Sequence, residues 1–170
     1  MNTTTPLTFL STSVSDTLTL GATIGALLRR GDIVLIAGDL GAGKTHISKG
    51  IVAGTGSTDL VTSPTFVFIN EYRTPLQLTI FHVDLYRIES PTALDSIGLA
   101  DATAGSGICL IEWAERDPSL YQMPYLQIEL QHQTETNRLI RLSGVGARAT
   151  ALIHTLHQHP PLVRHLGDSL

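Results

Sequence analysis

Two rhythms of apolar and polar positions run along this chain. Asp32-Ile33-Val34-Leu35-Ile36-Ala37 and Gly107-Ile108-Cys109-Leu110-Ile111-Glu112-Trp113 are continuous apolar runs of the kind buried on both faces of a parallel sheet. Phe66 to Tyr72 alternates instead, Leu78 to Asp84 reads as its partner strand, and Tyr125 to Leu130 and Arg138 to Leu142 alternate cleanly, which predicts half-buried strands. The turn at Thr74-Pro75 joins the first two into a hairpin, and the second two read as a hairpin at a sheet edge. Helical spacing of Leu18, Ile24, Leu27 and Leu28 predicts a helix from Ser15 to near Arg30-Gly31. Ile47, Ile51 and Val52 predict another from Lys44 to about Ala53, stopped by Gly54-Thr55-Gly56-Ser57. Ser90-Pro91 opens a short helix closing near Gly98, and a last helix runs from about Ala147 to His157 before Pro160-Pro161. Residues 7–13 read as a polar lead-in whose serines and threonines offer helix caps. The expected architecture is α/β with three layers, a mostly parallel central sheet carrying antiparallel hairpin additions.

Between the first apolar run and the second helix lies Gly38-Asp39-Leu40-Gly41-Ala42-Gly43-Lys44-Thr45, a full match to G-x-x-x-x-G-K-[ST]. In that pattern glycines let backbone N–H groups converge on phosphates, a lysine reaches the β/γ oxygens, and a hydroxyl binds Mg²⁺. A strand precedes it and a helix N-terminus follows, where the helix dipole favours phosphate. The loop therefore narrows the expected architecture to a three-layer P-loop NTPase fold.

Composition limits the partners. The 170 residues carry 11 basic and 15 acidic groups, a net charge of −4, the wrong sign for holding nucleic acid unaided through many phosphate contacts. Lys44 and Lys49 are the only lysines, and one of them is in the loop. No apolar run is long enough to span a bilayer and no signal-peptide pattern is visible, so a cytoplasmic location is expected. The lone cysteine, Cys109, sits in an apolar strand as a structural thiol. His154, His157 and His159 lack a carboxylate partner nearby and read as a solvent-facing tail.

A nucleotide hydrolase needs an acid near the metal, usually ending a strand beside the loop strand. Glu112 and Asp84 both qualify; either could hold Mg²⁺, with Thr45 supplying a hydroxyl. His82-Val83-Asp84-Leu85-Tyr86-Arg87 gathers a general-base candidate, a carboxylate and a guanidinium. Ser63, Pro64 and Thr65 put hydroxyls on a stiffened segment where switch elements that sense γ-phosphate often lie. The guanine-reading Asn-Lys-x-Asp pattern is absent, and Asp95-Ser96-Ile97-Gly98 reads as a chance match at a helix end. An ATPase, a small P-loop kinase acting on a metabolite, and a nucleotide-stabilised interaction module remain open.

The loop, then Ser63-Pro64-Thr65-Phe66, then His82 to Arg87, then Ile111-Glu112-Trp113, resembles in that order the TsaE family, over roughly residues 7–143. That family comprises small bacterial P-loop ATPases required for threonylcarbamoyladenosine in tRNA. The resemblance implies a P-loop ATPase domain over 1–143 and leaves 144–170 as a helical tail of unknown role. It implies that Gly41, Ala42, Gly43, Lys44, Thr45 and His46 surround the triphosphate, and that Thr45 and Glu112 are the magnesium ligands. Lys44 then acts on the β/γ phosphates, and Asp84 positions water or senses the γ-phosphate. Ser63, Pro64, Thr65, His82, Asp84, Tyr86 and Arg87 become switch-like. Ser13, in the N-terminal polar segment, and Arg138, in the late hairpin, would approach the nucleotide. Ala114 replaces the proline that many relatives have after Glu-Trp. The implied job is Mg-dependent ATP hydrolysis, slow in isolation, that resets a TsaB–TsaD complex modifying adenosine 37 in tRNAs reading codons that start with A. The partners, not this chain, would then carry the tRNA.

Overall fold

A computed structural model describes residues 5–88 and 98–159. Among the described residues, seven strands form one mixed sheet in the order β1-β7-β6-β2-β5-β4-β3. Its centre is parallel: β2 (Ile33–Gly38) lies between β6 (Tyr125–His132) and β5 (Ile108–Glu112), and β5 pairs with β4 (Thr79–Asp84). β3 (Ile69–Arg73), β7 (Arg138–Val145) and β1 (Leu7–Ser11) add antiparallel strands outside it.

The apolar runs explain the layers. On β2, Val34 and Ile36 face one way, onto Leu20 and Ile24 of α1 (Val14–Gly25) and Ile47 and Ile51 of α2 (Lys44–Gly54). Ile33 and Leu35 face the other way, into a second core with Leu99 and Ala102 of α3 (Leu99–Thr103) and Leu120. Helix α4 (Ala147–His157) adds Leu152, Ile153 and Leu156 to the first core. Arg148 ties it down, donating to both carboxylate oxygens of Asp32 at 2.9 and 3.1 Å and to the Leu27 carbonyl at 2.6 Å. Cys109 is buried in the second core.

Helices α1 and α2 meet backbone to backbone. A Cβ on Gly21 would lie 2.6 Å from the Ile47 carbonyl oxygen, and one on Gly25 would overlap that of Ile51. The close approach fixes α2, and with it the loop at its head.

Four expectations change. Residues 7–11 are not a lead-in but an edge strand, alternating buried and exposed, with Leu7 and Phe9 in the core and a ladder to β7. That strand covers β7, so the β6–β7 hairpin lies inside the sheet, paired to β2 on its other side. The strand expected from Phe66 begins only at Ile69. The Pro64 carbonyl accepts from the N–H groups of Val67 and Phe68 at 2.9 and 2.7 Å, folding 64–68 into a turn with Phe68 at φ 67. Finally, α1 ends at Gly25 because the next bonds tighten to three-residue spacing, Leu27 to Ile24 and Leu28 to Gly25. The helix expected from Ser90 to Gly98 lies outside the described residues but for Gly98, which precedes α3.

Candidate functional site

Parallel strands β2, β5 and β4 end at one edge of the sheet, where α/β proteins bind ligands. The loop leaves β2 there and turns into α2. Gly43 stands at the helix N-terminus with φ 108 and no side-chain cap, leaving the first N–H groups of α2 without a capping side chain. A Cβ at Gly43 would come within 3.1 Å of Arg138 Nε, which braces the loop by donating to the Ala42 carbonyl at 2.9 Å.

Pairing sets the acids side by side. In register, Asp84 lies opposite Glu112, and Glu112 opposite Ile36. Ile108, Leu110 and Glu112 share the β5 face turned to α2, so the glutamate projects beneath the loop helix. Its carboxylate is buried and accepts three bonds: Oε1 from Ser48 Oγ at 2.8 Å and His82 Nε2 at 2.7 Å, Oε2 from Thr45 Oγ1 at 3.3 Å. Facing a carboxylate, His82 Nε2 carries the donated proton. Asp84 is committed to the neighbouring segment. Its Oδ2 accepts from Thr65 Oγ1 at 2.6 Å and its Oδ1 from the Tyr86 N–H at 2.8 Å, while Ser63 and Thr65 hydroxyls bond at 2.6 Å.

Lys44 Nζ donates to the carbonyls of Gly38 and Asp39, the latter at 2.8 Å, and lies 3.7 Å from the centroid of the Trp113 ring. Burial lowers its pKa; Glu112, Glu115, Asp84 and Asp39 work the other way. Trp113, at φ 60, continues into a stack: its ring lies 4.9 Å from Tyr86, and Arg116 sits over both rings. His46 has its pKa lowered by burial, then by Lys49 and Arg138.

These groups line an open cleft of about 280 Å³ bounded by Leu40, Lys44, Thr65, Asp84, Glu112 and Trp113. Gly41, Gly43, Thr45, His46, Ser63 and Tyr86 also reach it. Ala42, within the loop, is buried, with Arg138 on its carbonyl. His82 is fully buried behind Glu112, and Pro64 anchors the turn at 64–68. Arg87 packs 4.8 Å over the exposed Phe66 ring. Ser13 caps α1, accepting from the Asp16 N–H at 3.1 Å, two residues beyond Ser11, which pairs with Arg138. Sequence reasoning missed Ser48, which stands one helical turn beyond Lys44, and gave Trp113 no role.

A mixed α/β sheet whose glycine-rich loop, lysine and strand-end carboxylates converge on one cleft defines the general class. The sequence profile described as "Threonylcarbamoyl adenosine biosynthesis protein TsaE" matches residues 11–140. The chain is 37% identical over 134 residues to the tRNA threonylcarbamoyladenosine biosynthesis protein TsaE of Bacillus subtilis, covering 79% of this chain and 83% of that one. The protein of the same name from Treponema pallidum is 37% identical over 133 residues, 78% of this chain and 97% of the relative. The crystal structure of YdiB from Bacillus subtilis superposes with a TM-score of 0.76 at 31% identity, covering 91% of this chain and 96% of that chain. The chain belongs to the TsaE family.

Proposed function

We propose that this chain binds ATP with Mg²⁺ in the cleft under the 38–45 loop and hydrolyses it in the cytoplasm. It does so as the ATPase subunit of the assembly that installs the threonylcarbamoyl group on adenosine 37 of tRNA. The function named for its relatives supports the pathway. The carrying observation for the chemistry is the meeting of Thr45 Oγ1 and Glu112 Oε2, 3.3 Å apart on different elements at the parallel-strand ends.

The donor set fits the ion. One hydroxyl and one carboxylate are hard oxygen ligands, and Mg²⁺ typically uses so few protein groups, completing its shell with water and substrate phosphate. When bound, the ion supplies charge neutralisation at the phosphates. Thr45 and Glu112 would hold it. The N–H groups of Gly41, Gly43, Lys44 and Thr45 cradle the phosphates, with Ala42 and His46 flanking them, and Lys44 exchanges its two carbonyl partners for phosphate oxygen. Arg138 keeps the loop in shape, and Ser13 lies at that same end of the sheet. Asp84 reports the γ-phosphate, or orients water, through the Ser63–Thr65 segment it holds; Tyr86 and Arg87 move with it.

In this reading a TsaD homologue, paired with TsaB, transfers the group from threonylcarbamoyl-adenylate, and hydrolysis by this chain resets the complex. An acidic chain of net charge −4 then meets tRNA only through its partners. Phosphate release, measured with and without the TsaB–TsaD pair, tests it. Magnesium-dependent release stimulated by the pair is expected. Phosphate transferred to an added metabolite would replace this reading with a kinase, and ATP binding without turnover in the full assembly would overturn it.

A further inference from the structure

The Glu112 carboxylate has one oxygen that serves the cleft and one that does not. Its backbone is locked by strand pairing on both sides, to Ile36 and Asp84, and its carbonyl accepts from the Leu85 N–H at 3.1 Å. Pairing does not fix the side chain, whose rotors stay free unless something holds them. Two donors from different elements do. Ser48 reaches it from α2 and His82 from β4, and both end on Oε1.

We propose that Ser48 and His82 are positioning residues that clamp Glu112 Oε1 and thereby present Oε2 to Thr45 and the cation. The inference rests on the magnesium reading above. Ser48 and His82 are each fully buried, so neither touches a ligand in the cleft. Ser48 is itself pinned, with the Lys44 carbonyl 3.0 Å from its hydroxyl. Its single proton goes to the shorter, charged acceptor, and the carbonyl is a secondary partner. His82 has no other polar reason to be where it is. It shares a strand face with Ile80, its ring lies 6.1 Å from Tyr72, and its Nδ1 is buried with no hydrogen-bond partner among the described residues. Burying an imidazole at that cost is accounted for by the one bond it makes, at Nε2. With Ser48 and His82 on Oε1, a bidentate cation grip is disfavoured and Oε2 remains, on the side where Thr45 stands. Such outer partners orient ligands without touching the ion.

Calorimetric titration of the full chain with a non-hydrolysable ATP analogue, in Mg²⁺ and in EDTA, tests the clamp. Wild type should bind more tightly with Mg²⁺. Ser48→Ala, which suits a helix and is expected to fold, should cut that magnesium-dependent gain on the order of tenfold while leaving affinity in EDTA unchanged. His82→Leu should do the same, and His82→Gln, which keeps an N–H toward Oε1, should retain most of the gain. A Ser48→Ala protein with the wild-type ratio, or one that loses affinity equally in both buffers, overturns the clamp alone. A wild type with no magnesium-dependent gain overturns both the clamp and the metal reading beneath it.

Discussion

Replacing Glu112 by alanine and by glutamine separates its shape from its charge. Alanine strips the acceptor from Ser48 and His82, both fully buried. Ser48 can fall back on the Lys44 carbonyl 3.0 Å away, so the cost concentrates on His82 Nε2. An unsatisfied buried donor costs about 1–3 kcal/mol, and the lost methylene burial adds roughly 1 kcal/mol. The sum, about 2–4 kcal/mol, lowers Tm by roughly 5–15 °C for a domain of this size. Glutamine places its carbonyl where Oε1 was, so both donors keep an acceptor. Those bonds lose their charge assistance, but a buried charge no longer has to be desolvated. The net change stays within about 1 kcal/mol, or roughly 4 °C in Tm. Both variants should nevertheless lose the magnesium-dependent gain in ATP affinity. Scanning calorimetry paired with nucleotide titration reads the two effects on the same samples. A glutamine variant that melts as low as alanine, or that keeps the magnesium gain, would refute the reasoning.

Gly25→Ala drives a methyl into the Ile51 carbonyl and must part α1 from α2. A loss of about 1–3 kcal/mol is expected, and an unchanged thermal midpoint would show that the helices are not locked at their backbones. Burial pushes the Cys109 thiol up from 9.0 to about 12. Because the folded pKa is the raised one, its contribution to stability is complete below pH 9 and lost as pH climbs towards 12. At pH 8 a thiol-labelling reagent should react only after denaturation, and prompt labelling of the native protein would contradict the burial. Trp113 is the sole tryptophan, with Lys44 3.7 Å from its ring. ATP should draw Lys44 away and change the emission, Lys44→Ala should abolish that response, and an unaltered titration in the variant would show that the ring reports something else.

What could be read from residue order is what local chemistry determines. The loop, the helix it opens and the buried runs ending in Asp84 and Glu112 carry their signals within a few residues, and parallel pairing then made the two acids neighbours. The misses share a cause in longer range. Leu7 and Phe9 alternate as a strand should, yet five residues running on into Thr12 and Ser13 read as a polar lead-in, because the ladder comes from distant β7. Phe66 to Phe68 are strand-prone too, but the Pro64 carbonyl captures two of their N–H groups and bends them away from the sheet. Ser48 meets Glu112 across 64 residues and His82 meets it across 30, so neither bond has a local signature. The glycines of α1 and α2 look like weak helix residues until the other helix's carbonyls occupy the space their side chains would need.

The most direct test is reconstitution of the modification itself. Purified chain, TsaB and TsaD homologues, unmodified tRNA and threonylcarbamoyl-adenylate should give ATP-dependent, multiple-turnover formation of threonylcarbamoyladenosine. Lys44→Ala should stop it after the first turnover or before. Undiminished multiple turnover with the Lys44→Ala chain, or with ATP omitted, would contradict a nucleotide-driven role for this protein.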